Sequence, residues 1–115
     1  MPTRRGEIFT IAVSGNYGKP RPALVIQAEA FDELPSVTVL RITSELIDAP
    51  LIRIPVAPDA QNGLRRPSQI MVDKAVTVPR IRLGPRMGRI DTPTLQTVDR
   101  SLKAFFGLEG SSPKR

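Results

Sequence analysis

The chain has 115 residues, enough for one domain with a modest core. It holds no cysteine and no histidine, which excludes disulfides, thiol catalysis and thiolate metal sites and removes the commonest general base near neutral pH. A balance of 17 Lys and Arg against 11 Asp and Glu gives a net charge of +6, which favours a polyanionic partner: nucleic acid, an acidic protein segment or an anionic membrane surface.

Aromatic residues are only 4% of the chain, so the core must come from Ile, Val, Leu and Ala, with Phe9, Phe31, Phe105, Phe106 and Tyr17 as the large fillers. The basic N-terminus is not followed by an apolar run of signal-peptide length, and no stretch approaches the roughly 20 apolar residues of a membrane span. The expectation is a cytoplasmic protein with no membrane partner.

Short β-rich runs fill most of the sequence. Residues 7–13 alternate, with Phe9, Ile11 and Val13 on one face and Ile8, Thr10 and Ala12 on the other, as a strand does. Residues 14–20 hold Gly15, Asn16, Gly18 and Pro20 and read as a loop. The apolar run 23–27 reads as a buried strand, 31–35 as a short connection with a single helical turn, and the β-branched run 36–42 as a further strand.

In residues 51–56, Pro55 cannot donate a ladder hydrogen bond, so this strand must lie at an edge or carry a bulge. Residues 58–67 read as a loop with Asn62-Gly63 at its tip. Two more strands are predicted over 68–72 and 75–78, and a short final one over 88–90. At the C-terminus Thr92 can cap a helix, Pro93 suits its first turn, Leu95, Val98, Leu102 and Phe105/Phe106 recur at helical spacing, and Gly107 stops it. Residues 109–115 read as a flexible basic tail after a single domain over 1–108. Many short strands and one terminal helix predict a mainly β fold, a small, bent antiparallel sheet or barrel.

The chemistry left to such a chain rests on arginine, lysine, carboxylates, hydroxyls and backbone groups. Arg21 lies between Pro20 and Pro22, so its backbone is restricted, and a guanidinium on a fixed stem suits forked contacts with phosphate. A plain strand-edge arginine is the alternative. Thr43 and Ser44 close the 36–42 strand, where hydroxyls bond a phosphate or simply begin a turn. Asp73 and Lys74 offer proton transfer and phosphate contact, or a solvated ion pair. The run 79–89 carries Arg80, Arg82, Arg86 and Arg89, either part of a basic groove or snorkelling side chains along a loop. No phosphate-binding glycine loop, dinucleotide fingerprint, metal-ligand cluster or nucleophile elbow is present, so neither a metal nor a cofactor is expected.

Taken in order, these segments resemble the MazF/PemK family of toxin endoribonucleases. Arg5-Gly6-Glu7-Ile8 resembles the family's opening strand. Lys19-Pro20-Arg21-Pro22-Ala23-Leu24-Val25-Ile26 resembles its most recognisable segment, and Leu40-Arg41-Ile42-Thr43-Ser44 its second signature. Asn62-Gly63-Leu64, the stretch 69–77, Arg82-Leu83-Gly84 and Gly88-Arg89-Ile90 follow in the family's order. The sequence departs from the pattern at Met71 and at Ala75-Val76, both flanking Asp73.

The resemblance implies an SH3-like, CcdB/PemK-type antiparallel β-barrel with a C-terminal helix. It implies a homodimer whose groove takes single-stranded RNA, silenced by a cognate acidic antitoxin that contacts the 14–20 loop. By position, it implies Arg21, Thr43 and Asp73 as catalytic residues; the charges of Lys19, Lys74, Arg80 and Arg82 and the Ser44 hydroxyl are then expected on the RNA. Attack by the 2′-OH would leave a 2′,3′-cyclic phosphate and a 5′-OH. Three rival readings stand beside it: a CcdB-like topoisomerase poison that cuts no RNA, a non-catalytic RNA-binding barrel, which the scarcity of aromatics for base stacking disfavours, and an inactive family member held by its antitoxin, which the departures around Asp73 would allow.

Overall fold

The computed structural model describes residues 2–12 and 19–108. Six strands, β1 (Glu7–Ile11), β2 (Arg21–Val25), β3 (Ser36–Thr43), β4 (Arg53–Val56), β5 (Ser68–Pro79) and β6 (Leu83–Arg89), form one sheet in the order β4-β5-β3-β2-β1-β6. Each pair is antiparallel, and one helix, α1 (Thr92–Phe106), follows. The mainly β prediction holds. The sheet is barrel-like without closing, with β4 and β6 at its two edges.

The alternation of the strands puts an apolar layer on each face. Ile8, Leu24, Leu40, Ile42 and Ile70 pack with Val98 and Leu102 of α1, while Phe9, Ile11, Ala23, Val25, Val37 and Val39 form a second cluster. Burying both faces of the central strands is what such continuous apolar runs require. Among the phenylalanines only Phe9 is buried; Phe31, Phe105 and Phe106 are about half exposed, so the aliphatic residues carry more of the core than expected.

Several boundaries move in instructive ways. The predicted strands 68–72 and 75–78 are one strand with an irregularity: Leu40 faces Ala75, but Ile42 faces Ile70. The polar pair Asp73-Lys74, which reads as a break, sits in this bulged stretch, where extra residues leave the ladder and bend the strand. The 79–89 run is not a loop; after a single 3-10 turn at Arg80–Arg82 it is the edge strand β6, paired with β1.

Asn62-Gly63 is not an exposed tip. Asn62 is buried, its amide oxygen accepting from the N–H groups of Asp59 and Leu64. Gly63 has φ +73, and a Cβ there would collide with the Met87 carbonyl, as one at Gly88 would with Gln61. The loop is thus pressed onto β6, with Arg89 N–H donating to the Gln61 carbonyl at 3.0 Å, and it bridges the two edges of the open sheet.

The helix is capped by Asp91 rather than Thr92. The Asp91 carboxylate accepts from Thr94 N–H at 2.8 Å, and bonds from the Thr94 hydroxyl and N–H hold it below the usual carboxylate range. Gly107 ends the helix in the left-handed region (φ 66).

The Arg5-Gly6-Glu7 opening is structural. Arg5 donates to the Ile26 carbonyl at 2.8 Å and pairs with Asp99 of α1 at 2.5 Å, tying the end of β2 to the helix. Gly6 takes φ 94 at the entry to β1, and Glu7 pairs with Arg86 of β6 at 2.8 Å. The tail at 109–115 and most of the 14–20 loop lie outside the described residues.

Candidate active site

The start of β2 and the end of β3 meet one rim of the sheet. The register Ala23↔Arg41, carried on by two residues, brings Arg21 opposite Thr43. One face of β3 therefore reads Val37, Val39, Arg41, Thr43, and the matching face of β2 reads Val25, Ala23, Arg21. The same face that supplies the second apolar cluster becomes cationic and hydroxylic where the strands leave it.

A cleft of about 680 Å³ opens there. Arg21, Arg41, Thr43, Ser44, Arg65 and Arg66 give it polar walls, and Leu64, Met71 and Met87 an apolar patch. Among the described residues, none of the guanidiniums of Arg21, Arg41, Arg65 and Arg66 has a carboxylate or hydrogen-bond partner. Arginines elsewhere differ: Arg4 pairs with Glu29, Arg5 with Asp99, Arg80 with Asp32 and Arg86 with Glu7. Four guanidiniums against the single carboxylate of Glu45 in that lining concentrate positive potential in a concave site and draw in anions.

The sequence-predicted residues divide along this line. Arg21, Thr43 and Ser44 line the cleft. Lys19 is exposed two residues before Arg21 and is not part of that lining. Asp73 and Lys74 lie outside it, on the bulge of β5, paired with each other at 3.5 Å. One Asp73 carboxylate oxygen, Oδ1, is buried without a hydrogen-bond partner among the described residues.

Arg80 does not reach the cleft at all. Its guanidinium donates to the Leu34 carbonyl at 2.7 Å, to the Thr3 hydroxyl at 3.1 Å and to Asp32 at 3.3 Å, which leaves its side chain 13% exposed. Arg82 is also outside the lining and donates to the Ala12 carbonyl at 3.3 Å. Sequence reasoning missed Arg41, Arg65, Arg66 and Glu45. Arg41 was legible, because it shares a strand face with Thr43; Arg65-Arg66 lies in a loop with no periodicity to give it direction.

Residues 4–106 match the family of PemK-like, MazF-like toxins of type II toxin-antitoxin systems. The chain belongs to that family. It is 46% identical over 108 residues to a probable endoribonuclease MazF of Mycolicibacterium smegmatis, covering 93% of this chain and 99% of the relative. Among solved structures it resembles the Mycobacterium tuberculosis toxin MazF-mt6, with TM-score 0.77 and 27% identity over 90% of this chain and 98% of that one. It has the fold of a mycobacterial endoribonuclease solved in complex with its cognate antitoxin, with TM-score 0.77 and 20% identity over 98% and 99% of the two chains.

In this MazF-like toxin, the rim beyond Thr43 is ordered by hydrogen bonds. The Thr43 hydroxyl oxygen accepts from Glu45 N–H at 3.0 Å. A hydroxyl has one proton and two lone pairs, so accepting that bond leaves its proton to donate outward. Arg21 and Thr43 thus supply a charged fork and an oriented donor side by side, the pairing that a phosphodiester in transition calls for. Among the described residues no group of three or more His, Cys, Asp or Glu side chains is placed to hold a metal ion, and no helix is long and apolar enough to cross a membrane.

Proposed function

We propose that this MazF-like toxin is an endoribonuclease that cuts single-stranded RNA in the Arg21–Thr43 cleft without a metal ion. The observation that carries the reading is a set of guanidiniums, without partners among the described residues, in one cleft beside an oriented hydroxyl. The kinship with a protein called a probable endoribonuclease supports it.

RNA carries its own nucleophile. The 2′-oxygen attacks the adjacent phosphorus, the bond from phosphorus to the 5′-oxygen breaks, and the products are a 2′,3′-cyclic phosphate and a 5′-OH. Arg21 neutralises the charge that gathers on the phosphoryl oxygens, and Thr43 donates a hydrogen bond to one of them. Arg41, Arg65 and Arg66 hold flanking phosphates, with Lys19 and Ser44 beside them. The 2′-OH proton leaves to a base, and the 5′-oxygen takes one up. Glu45 is the carboxylate in the cleft lining, and with water it takes the transfer that sequence reasoning gave to Asp73.

The toxin acts in the cytoplasm as a homodimer and is silenced by an acidic segment of its antitoxin, which competes with RNA for the same arginines. The net charge of +6 supports that competition, and the half-exposed Phe105 and Phe106 supply apolar surface for partner contacts.

The test is incubation of the pure protein with a long single-stranded RNA in EDTA, with end analysis of the fragments. Fragments ending in cyclic phosphate and 5′-OH are expected. Binding without cutting would make the protein an RNA-binding barrel, and inertness toward RNA together with inhibition of a topoisomerase would make it a CcdB-like poison.

A further inference from the structure

The rim of the cleft just beyond Thr43 poses a physical question. Residues 45–47 belong to no helix or strand, and Leu46 and Ile47 are about half exposed, so burial does not hold this segment. Its backbone is nonetheless gripped at successive points. Gln69 of β5 faces Thr43 on one side and Pro55 of β4 on the other. Its side-chain amide donates to the Ile47 carbonyl at 2.9 Å and accepts from Ile47 N–H at 3.2 Å, as a neighbouring strand would. Arg53 Nη1 donates both to the Gln69 side-chain oxygen at 2.8 Å and to the Glu45 carbonyl at 3.1 Å. The chain of bonds ends on the site, because Glu45 N–H is the group that donates to the Thr43 hydroxyl oxygen.

We propose that Gln69, braced by Arg53, is a positioning residue that fixes the 45–47 rim so that the Thr43 hydroxyl presents its proton to the scissile phosphate. The inference rests on the nuclease reading of the cleft. A threonine hydroxyl rotates freely unless a neighbour takes one of its lone pairs, and here that neighbour is a backbone N–H on a segment without burial to steady it. Releasing Ile47 lets Glu45 N–H move off, and the hydroxyl is no longer oriented when the substrate arrives. Gln69 touches no substrate in this scheme; it acts through Thr43. An amide suits the position because both of its ends are used, whereas a carboxylate could accept but not donate to the Ile47 carbonyl.

The test is a double-mutant cycle on the RNA-cleavage rate at saturating RNA, with KM and Tm measured for each protein. Gln69→Leu is expected to lower kcat about tenfold, the scale of a misoriented catalytic group, while leaving KM and Tm near the wild-type values. In a Thr43→Ala background the same change is expected to alter kcat by no more than about twofold, because the hydroxyl it orients is gone. An unchanged kcat in Gln69→Leu, an equal loss in both backgrounds, or an effect confined to KM or Tm would overturn the proposal. Should Gln69→Leu fail to fold, Gln69→Glu replaces it: a smaller kcat loss that vanishes without Thr43 supports the scheme, and an equal loss in both backgrounds overturns it. If wild-type protein cuts no RNA, or Thr43→Ala cuts at the wild-type rate, the nuclease reading falls and takes this inference with it. If both controls behave as expected and Gln69→Leu is normal, only the inference falls.

Discussion

The two ends of β3 use the same residue type for opposite purposes. Where β3 begins, Arg80 is folded into the protein, bonded to Leu34, Thr3 and Asp32 and largely covered. Where β3 ends, Arg21, Arg41, Arg65 and Arg66 surround a cleft, and no described residue forms an ion pair with them. The first arrangement joins the N-terminus, the 3-10 turn at Glu29–Phe31 and the turn before β6. In the second, no guanidinium is paired by a described residue, and their charge stays open to an anion. Net charge does not distinguish the two; what distinguishes them is whether each guanidinium already has a partner.

Removing a charge at each end should therefore have opposite consequences. Arg21→Ala is expected to lower RNA cleavage on the order of 10²–10³-fold, as for loss of one transition-state donor, with Tm unchanged. Thr43→Ala should be milder, about 10–100-fold, the worth of one hydrogen bond to a charged group. Near-wild-type rates for either variant, measured in a single-turnover assay, would take that residue out of the chemistry.

Arg80→Ala should do the reverse. It strips charged partners from a mostly covered network and is expected to lower Tm by several degrees while cleavage by the folded protein stays within about twofold of wild type. The network also has a pH signature. Asp32 is held below the usual carboxylate range, first by the Thr3 backbone N–H, then by the Thr3 hydroxyl, with Arg80 adding to both. A carboxyl lowered on folding contributes stability that is present above its unfolded value and lost as pH falls through its folded one. The Tm gap between wild type and Asp32→Asn should thus be widest near neutral pH and close on acidification. A gap that stays constant with pH would mean that the contact is held by shape rather than charge.

Much of this architecture was legible in the sequence, because it depends on local rules. Alternation in 7–13 and the apolar run at 23–27 identified β1 and β2, Pro55 required an edge or a bulge and β4 is an edge, and helical spacing through Val98 and Leu102 identified α1. The failures came where tertiary packing overrode a local signal. Asp73-Lys74 looked like a break and is a bulge, since a bent strand can turn polar residues out of its ladder. Asn62-Gly63 looked like a hairpin tip and is a buried clasp between sheet edges.

The site was half legible for the same reason. Arg21, Thr43 and Ser44, selected for their flanking prolines, strand end and family position, line the candidate cleft. Arg80 and Arg82 were selected because they cluster in sequence, yet Arg80 is committed to Asp32 and Arg82 leans on the Ala12 carbonyl. Arg65 and Arg66 are brought to the cleft by a loop whose path depends on Gly63 and Gly88 packing, which no period in the sequence encodes.

The cleft arginines that have no partner among the described residues, and not the paired ones, are expected to meet the RNA phosphates. The most direct test is the salt dependence of binding to a 2′-O-methyl oligonucleotide, which lacks the attacking hydroxyl, compared across Arg41→Ala, Arg65→Ala, Arg66→Ala and Arg80→Ala. Removing an arginine that neutralises one phosphate of a single strand should flatten the slope of log K against log salt by about 0.7. Flattening is expected for Arg41→Ala, Arg65→Ala and Arg66→Ala, with an unchanged slope for Arg80→Ala. Equal slopes in all four variants, or flattening only in Arg80→Ala, would contradict this expectation.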